Sequence, residues 1–185
     1  LEYPKSYFLK QAFHGFLENA DENDKKDFAA FCQAKSFWLD DFALFMALRN
    51  EFQQQCWNQW PDHFKDREAK ALQEARLRLK TKIDSTKFQQ YVFFRQWLEL
   101  KAYAEAHGIL MFGDIPIFVS YDSADVWVNR EVFKLDDTGE IVVVAGVPPD
   151  YFSSTGQRWG NPHFNWEYLK KTGFHWWLDR LRTQM

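Results

Sequence analysis

Seven side chains in the later part of the sequence carry groups suited to binding a sugar. Carboxylates and amides form directional hydrogen bonds with hydroxyl groups, while aromatic rings stack on the apolar faces of a sugar ring. The candidate substrate-binding residues are Asp114, Asp150, Tyr151, Phe152, Gln157, Trp159 and Asn161. The chain is 19% aromatic, however, and aromatic rings also build protein cores, so composition alone does not separate the two uses.

Six of the seven candidates lie in one run, residues 146–162, that shows no helix or strand periodicity. Pro148 and Pro149 stiffen its backbone, and Gly156 and Gly160 allow sharp reversals. Long stretches of this kind are usually functional or disordered, and the aromatic content of this one argues against disorder. The run predicts a largely preset loop that displays its side chains; the alternative is a surface loop packed on itself.

The seventh candidate, Asp114, lies within the apolar run 109–119 (ILMFGDIPIFV), which predicts a strand covered on both faces. A buried carboxylate is costly unless it has partners, so Asp114 is either a site residue or a structural anchor. Pro116 removes one ladder hydrogen bond from the same strand. Asp122 and Asp125 follow in the sequence SYDSAD, which is typical of side chains that cap backbone donors.

The two parts of the chain predict different elements. Residues 1–107 have helical periodicity and predict a helical subdomain, with helices at residues 36–52, 62–82 and 86–107, the last one capped by Gly108. Residues 108–185 predict the strand, a hairpin in which FKL and EIVVVA flank the turn DDTG, the loop, and a final helix over residues 166–185.

The number of strands limits the fold that this chain forms by itself. A strand buried on both faces needs neighbours at both edges, and the sequence offers only one hairpin besides. Either the hairpin pairs with the strand in a small α+β domain, or the chain is an internal segment of a larger α/β protein. The first residue is Leu1 rather than Met, which favours a segment.

Composition and missing motifs exclude several classes of function. The net charge is only −3, so we expect no nucleic-acid partner, and the longest apolar stretch, residues 141–147, is too short to span a membrane. No signal-peptide pattern begins the chain, and two cysteines fit a reducing compartment, so we expect a cytoplasmic protein. Phosphate-binding glycine motifs and metal-ligand spacings are absent, and neither metal nor organic cofactor is expected.

Three stretches resemble a known family. The segments GDIPIFVSYDSADVW, FKLDDTGEIVVVAG and AGVPPDYFSSTGQRWGNP are similar to the signature region of glycoside hydrolase family 77, the 4-alpha-glucanotransferases known as amylomaltase or disproportionating enzyme. The match over residues 146–162 is long and nearly verbatim. FWLDDFALFMALR and FRQWLELKAYAEAHGI resemble the preceding helical region of that family, so the resemblance covers the chain from about Phe37 onward.

The resemblance implies an α/β fold, a partial (β/α)8 (TIM) barrel with an inserted α-helical subdomain. A whole barrel takes about 250 residues, so the barrel is incomplete in this chain. Residues 1–107 would be the helical subdomain, and residues 108–185 a barrel segment with a strand, a hairpin and an active-site loop. Asp114 would contribute to the donor-side sugar site, and the loop around residues 150–159 would cover the cleft and line the acceptor side.

The resemblance also implies a reaction. Such enzymes transfer alpha-1,4-glucan units between maltooligosaccharides by a retaining double displacement at two carboxyl groups. The nucleophile of the family lies in an R-I-D-H-F-R-G-like strand that would follow Met185, so we expect no catalytic residue within this chain and a need for the rest of the enzyme chain. The alternatives are a non-catalytic carbohydrate-binding or interaction module and a helical structural domain without a ligand.

Overall fold

The computed structural model describes residues 5–184, which are mostly helical with one small sheet. In chain order the helices are α1 (Lys5–Asn19), α2 (Glu22–Ala34), α3 (Ser36–Glu51), α4 (Asp62–Lys65), α5 (Ala69–Arg78), α6 (Lys80–Ala106), α7 (Ala124–Val128), α8 (Trp166–Lys171) and α9 (His175–Gln184). The strands are β1 (Val144–Val147) and β2 (Gln157–Pro162). Short 3-10 helices lie at Trp57–Gln59 and Arg130–Val132.

These elements form two compact units. The helical unit contains residues 5–53 and Ala69–Gly113, and the hairpin unit contains Gln54–Glu68 and residues 114–184. The sequence-based division has a single boundary between residues 107 and 108, whereas the structure assigns residues 54–68 to the hairpin unit. The reason is burial, because Trp57 is fully buried there and its indole N–H donates to the carbonyl oxygen of Tyr121 at 2.8 Å.

The helical unit is built on α3, which confirms the helix predicted at residues 36–52. Its inner face is almost inaccessible to solvent, as the pattern of apolar residues at steps of three and four requires. The buried side chains are Leu39, Ala43, Leu44, Phe45, Ala47 and Leu48. Asp40 and Asp41, one turn into the helix, form ion pairs with Lys87 of α6 and Arg76 of α5. Both aspartates therefore join helices, in line with a structural role.

The long helix α6 is the second support of this unit. It begins six residues earlier than the predicted helix at residues 86–107, and Phe88 and Tyr91 pack with Phe13 of α1 in an aromatic cluster. Gly108 follows with φ +69°, and the amide of Ile109 donates to the carbonyl of Ala104 at 2.9 Å. This confirms the predicted glycine cap, since the left-handed backbone costs glycine little.

The charge-rich helix predicted over residues 62–82 is wrong as one continuous element. The structure breaks it into α4, α5 and the start of α6, with Arg67 at φ +57° between α4 and α5. The partners differ too, because Asp66 pairs with Arg130 at 3.0 Å and Arg78 pairs with Glu51. The spacing of Asp66 with Lys70 and of Glu74 with Arg78 predicts pairs along one helix face, and pairs between elements replace them for Asp66 and Arg78.

The hairpin unit has a core of tryptophan and phenylalanine rings. Trp57 and Trp127 are fully buried, and Trp127 donates its indole N–H to the carbonyl oxygen of Phe64 at 3.0 Å. Arg130 stacks on Trp57, with its guanidinium carbon 4.6 Å from the ring centre. Each buried indole thus has a hydrogen-bond partner, as a polar group inside an apolar core requires.

The sheet of this unit is a two-stranded antiparallel hairpin, β1 with β2, that includes part of the predicted loop. Val147 lies opposite Gln157 and Gly146 opposite Arg158, and an irregularity separates these pairs from Val144 opposite Pro162. The turn predicted at DDTG is present, since the Asp136 carboxylate accepts the amide hydrogens of Thr138 and Glu140. Its flanks make only an isolated bridge between Leu135 and Ile141.

The strand predicted at residues 109–119 is wrong for this chain. No strand pairs with it among residues 5–184, and most of its apolar side chains are open to solvent, with Leu110 95% and Phe112 102% exposed, although Val119 at its end is buried. A single extended segment has no partners for its backbone groups, so it forms no ladder.

The final helix is also interrupted, because Gly173 at φ +66° and Phe174 at φ +57° separate α8 from α9.

Candidate functional site

The tip of the hairpin carries three of the predicted site residues. The Asp150 carboxylate accepts the amide hydrogens of Phe152 and Ser153 at 2.9 and 2.8 Å, which fixes the turn. Tyr151 and Phe152 are 98% and 89% exposed, and their rings meet edge to face with centres 5.7 Å apart. Two apolar rings are therefore held out into solvent on a turn whose conformation is fixed by hydrogen bonds.

Glycine keeps this hairpin tight. A Cβ on Gly146 would lie 2.3 Å from the carbonyl oxygen of Gln157, and a Cβ on Gly156 would lie 2.6 Å from that of Val147. Gly156 also has φ +75°. Only glycine fits these two positions, so the sequence fixes how closely the two strands approach.

Three more candidates follow one another along β2. Gln157, Trp159 and Asn161 alternate along the strand, a spacing that places side chains on one face. The indole N–H of Trp159 donates to the side-chain oxygen of Gln157 at 3.0 Å, which orients a half-exposed ring. Asn161 is half-buried and its side-chain amide donates to the carbonyl oxygen of Val119 at 2.7 Å. That amide is thus committed to the protein backbone.

A phenylalanine that the sequence did not single out supports Trp159. The ring of Phe118 meets Trp159 edge to face at 6.1 Å and stacks on Phe164 at 6.0 Å with an angle of 12°. Phe164 is only 1% exposed. Trp159 is therefore connected through Phe118 to the core of the hairpin unit. No sequence signal marks Phe118 as part of the site, because it lies in the predicted strand, where an apolar side chain is expected.

Asp114 differs most from its predicted setting. Asp114 is exposed rather than buried in a strand, and among residues 5–184 its side chain forms no hydrogen bond or ion pair with the other six candidates. Hydrogen bonds and ring contacts join Tyr151 with Phe152, and Gln157 with Trp159, but not Asp114 with any of them. The reason is the missing ladder of residues 109–119, which was expected to bury this carboxylate.

The capping role expected of Asp122 and Asp125 is taken by their neighbour. Ser123 is the N-cap of α7, and its hydroxyl oxygen accepts the amide hydrogen of Val126 at 3.3 Å. Asp122 instead forms a hydrogen bond with Cys56, and burial raises the pKa of the Cys56 thiol to about 11. Asp125 lies in the first turn of α7, and desolvation raises the pKa of its carboxyl group while the charge of Arg180 lowers it.

The described residues form neither a metal-ligand cluster nor a helix able to span a membrane. Within residues 5–184, no cluster of three or more His, Cys, Asp or Glu side chains could hold a metal ion. In the same part of the chain, no helix combines the length and apolar character needed to cross a bilayer.

Comparison with known proteins identifies the family. Residues 2–185 match the family Glyco_hydro_77, described as 4-alpha-glucanotransferase. The chain belongs to this family. It is 52% identical to the 4-alpha-glucanotransferase of Thermus thermophilus over 177 residues, which are 96% of this chain and 35% of that protein. It is 51% identical to the enzyme of the same name from Synechocystis sp. over 182 residues, 98% of this chain and 36% of that protein.

A solved member of the family has the same fold over this region. The structure of the amylomaltase from Streptococcus agalactiae in complex with acarbose superposes with a TM-score of 0.89 at 40% identity, and covers 95% of this chain and 35% of that one. The chain thus spans about a third of the length of the relatives that it matches. In these relatives the matched region is about a third of a longer polypeptide.

Proposed function

We propose that the protein containing this chain is a 4-alpha-glucanotransferase that moves alpha-1,4-glucan units between maltooligosaccharides. The observation that carries the proposal is the display of Tyr151, Phe152 and Trp159 beside hydrogen-bonding side chains, in a chain that belongs to this family over nearly its whole length. Exposed aromatic rings next to amides and carboxylates suit a ligand that has apolar faces and hydroxyl edges. Acarbose on the related amylomaltase supports a carbohydrate ligand here.

The proposed reaction assigns the exposed rings a physical task. One carboxylate attacks the anomeric carbon and the leaving glucan departs with a proton from a second carboxyl group. That second group then removes the proton from the 4-hydroxyl of an acceptor glucan, which displaces the covalent intermediate. Water would compete with the acceptor, so the rings of Tyr151 and Phe152 favour transfer if they cover the cleft and exclude water.

We place the reacting carboxylates outside residues 1–185 and propose that the seven candidates form the binding surface, with Asn161 holding the backbone at Val119. Gln157 and Trp159 would contact the glucan, with Asp150 holding the turn that carries Tyr151 and Phe152. Asp114 would bind on the donor side. We further propose that residues 1–107 are the helical subdomain and residues 108–185 the segment of a (β/α)8 barrel, in a cytoplasmic enzyme without cofactors. The related amylomaltase fold and the exposed run 109–119 support a barrel whose other strands lie elsewhere in the protein.

The test of the reaction uses the full-length protein and maltotriose. Chromatography should show glucose together with maltooligosaccharides longer than maltotriose, because transfer lengthens one chain as it shortens another. Glucose and maltose alone would indicate hydrolysis and would contradict the transferase assignment. Binding without any product would favour the non-catalytic carbohydrate-binding module.

The test of the binding residues is Trp159→Ala. Loss of the stacking ring should weaken maltooligosaccharide binding by about two- to tenfold in calorimetry, since one aromatic stacking contact contributes about 0.5–1.5 kcal/mol and tenfold corresponds to about 1.4 kcal/mol. The matched control is Trp166→Ala, because Trp166 is similarly exposed (53% against 48%) but lies at the start of α8. Unchanged affinity in the Trp159 variant would remove this ring from the site.

A further inference from the structure

The segment 114–119 has no strand partner among the described residues, yet two side chains hold its backbone. The amide of Asn161 donates to the carbonyl oxygen of Val119 at 2.7 Å. Arg180 of α9 donates from its guanidinium to the carbonyl oxygen of Pro116 at 2.9 Å. This segment is therefore held within the hairpin unit by two side-chain donors and by the packing of Phe118 on Phe164, and not by a sheet ladder.

The guanidinium of Arg180 is itself held in place. Its central carbon lies 5.3 Å from the ring centre of Trp176 and 5.8 Å from that of Trp177, both within the range of a cation–π contact. Burial lowers the pKa of the Arg180 side chain, and the negative charge of Asp125 acts in the opposite direction. The half-buried guanidinium of Arg180 therefore lies between two indole rings and near a carboxylate, which restricts its movement as it donates to the carbonyl oxygen of Pro116.

The bonded carbonyl lies close to a candidate site residue. Pro116 follows Asp114 by two residues, and consecutive Cα atoms are about 3.8 Å apart, so the Arg180 bond fixes the chain within about 8 Å of Asp114. Without that bond the nearest of the two tethers would be at Val119, five residues from Asp114. Binding groups displaced by about 1 Å lower the rate of a positioned reaction substantially.

We infer that Arg180 is a positioning residue that sets the place of Asp114 through the backbone of Pro116. The inference rests on the proposed function, because it assumes that Asp114 contacts the donor-side sugar. Arg180 does not touch the substrate in this scheme. Its effect on the reaction passes through the 114–119 segment, so it should disappear once Asp114 no longer contributes.

The first measurement tests the tether without using activity. In the full-length protein, Arg180→Met keeps an unbranched apolar side chain beside the indoles but removes the donor. Freed from Arg180, the segment should be cut by chymotrypsin after Phe118 at least fivefold faster, as mapped by mass spectrometry. The matched control is Arg182→Met, since Arg182 is exposed on the same helix and pairs only locally with Asp179. Equal cleavage of the Arg180 variant and the wild type would overturn the tether.

The second measurement tests positioning through a mutant cycle on transfer from maltotriose. Arg180→Met should lower kcat about tenfold or more with less than a threefold change in KM, and Arg180→Lys, which retains a cationic donor, should recover most of the loss. In an Asp114→Asn background the same Arg180→Met change should lower kcat less than twofold. Full additivity with Asp114→Asn would overturn the positioning role. If the wild type transfers no glucan, the proposed function fails, while the cleavage experiment still decides the tether.

Discussion

A methyl group on Gly146 should damage the hairpin that carries most of the candidate site. An alanine Cβ there would lie 2.3 Å from the carbonyl oxygen of Gln157 and 3.3 Å from the Cα of Arg158. Ordinary contact begins at 3.4 Å, so the overlap with the oxygen is about 1.1 Å. Both obstacles are backbone atoms of β2, and a change of rotamer cannot remove them.

The cost follows from how the two strands must move. Shifting β1 away by about 1 Å would stretch its hydrogen bonds to β2 beyond the usual 3.2 Å limit. Overpacking of this kind costs about 1–3 kcal/mol, and weakened ladder bonds add about 0.5–1.5 kcal/mol each. We therefore expect Gly146→Ala to lower the free energy of unfolding by about 2–4 kcal/mol.

Urea titrations followed by tryptophan fluorescence measure this loss against two controls. Gly15→Ala lies in α1 with no atom within 4 Å of the added methyl, and it should stabilise the helix by up to about 1 kcal/mol. Gly160→Ala has equal open space but φ +80°, so it should cost about 1–2 kcal/mol from backbone strain alone. A Gly146 variant as stable as the wild type would refute the steric reasoning.

Two further predictions concern the core and the ionisation of the hairpin unit. Trp57→Phe should lower the free energy of unfolding by about 2–4 kcal/mol in urea titrations, because it leaves a cavity and removes the donor to the carbonyl of Tyr121; Trp97→Phe on the more exposed surface of α6 should stay within about 0.5 kcal/mol. Cys56 should react with iodoacetamide at pH 8 on the order of 100-fold more slowly in the folded protein than in urea, since the thiolate is the nucleophile and the folded pKa is about 11. The unfolded thiol ionises at about pH 8.5, before the folded one, so Cys56 should lower the free energy of unfolding as the pH rises from there towards 11. An equal alkylation rate in the folded and unfolded states would show that burial does not raise the pKa of this thiol.

Local signals predicted the helical elements well. The apolar stripe of α3 and the glycine cap after α6 depend only on residues that are close together in the sequence, and the structure contains both. The single helix predicted over residues 62–82 is broken at Arg67, and Asp66 and Arg78 pair with the distant residues Arg130 and Glu51. Such a pairing depends on tertiary contacts that spacing along one helix does not show.

The strand at residues 109–119 failed for a different reason. Its composition is right for a strand buried on both faces, but burial has to come from neighbours that are absent from residues 5–184. Most of the same apolar side chains, such as Leu110 and Phe112, are therefore exposed, and Asp114 lies on the surface. Conversely, Val144 and Ala145 of β1 lie in the predicted strand EIVVVA, but the rest of β1 and all of β2 lie in a run rich in proline and glycine, where no alternation of apolar and polar residues marks a strand.

The candidate site depends on rigidity more than its composition suggests. Asn161 has an amide suited to binding a sugar, yet that amide donates to the carbonyl oxygen of Val119. Arg180, which donates to the carbonyl oxygen of Pro116, carries no signal in the sequence that predicts this bond. Both act on the same six residues, which no sheet supports within the described chain. A polar side chain beside aromatic rings can thus form hydrogen bonds with the protein backbone as well as with a ligand. Only the observed hydrogen-bond partners distinguish these two roles. By that criterion Gln157 and Trp159, which bond to each other on the exposed part of β2, stay candidates for ligand contact, while Asn161 and Arg180 hold the backbone at Val119 and Pro116.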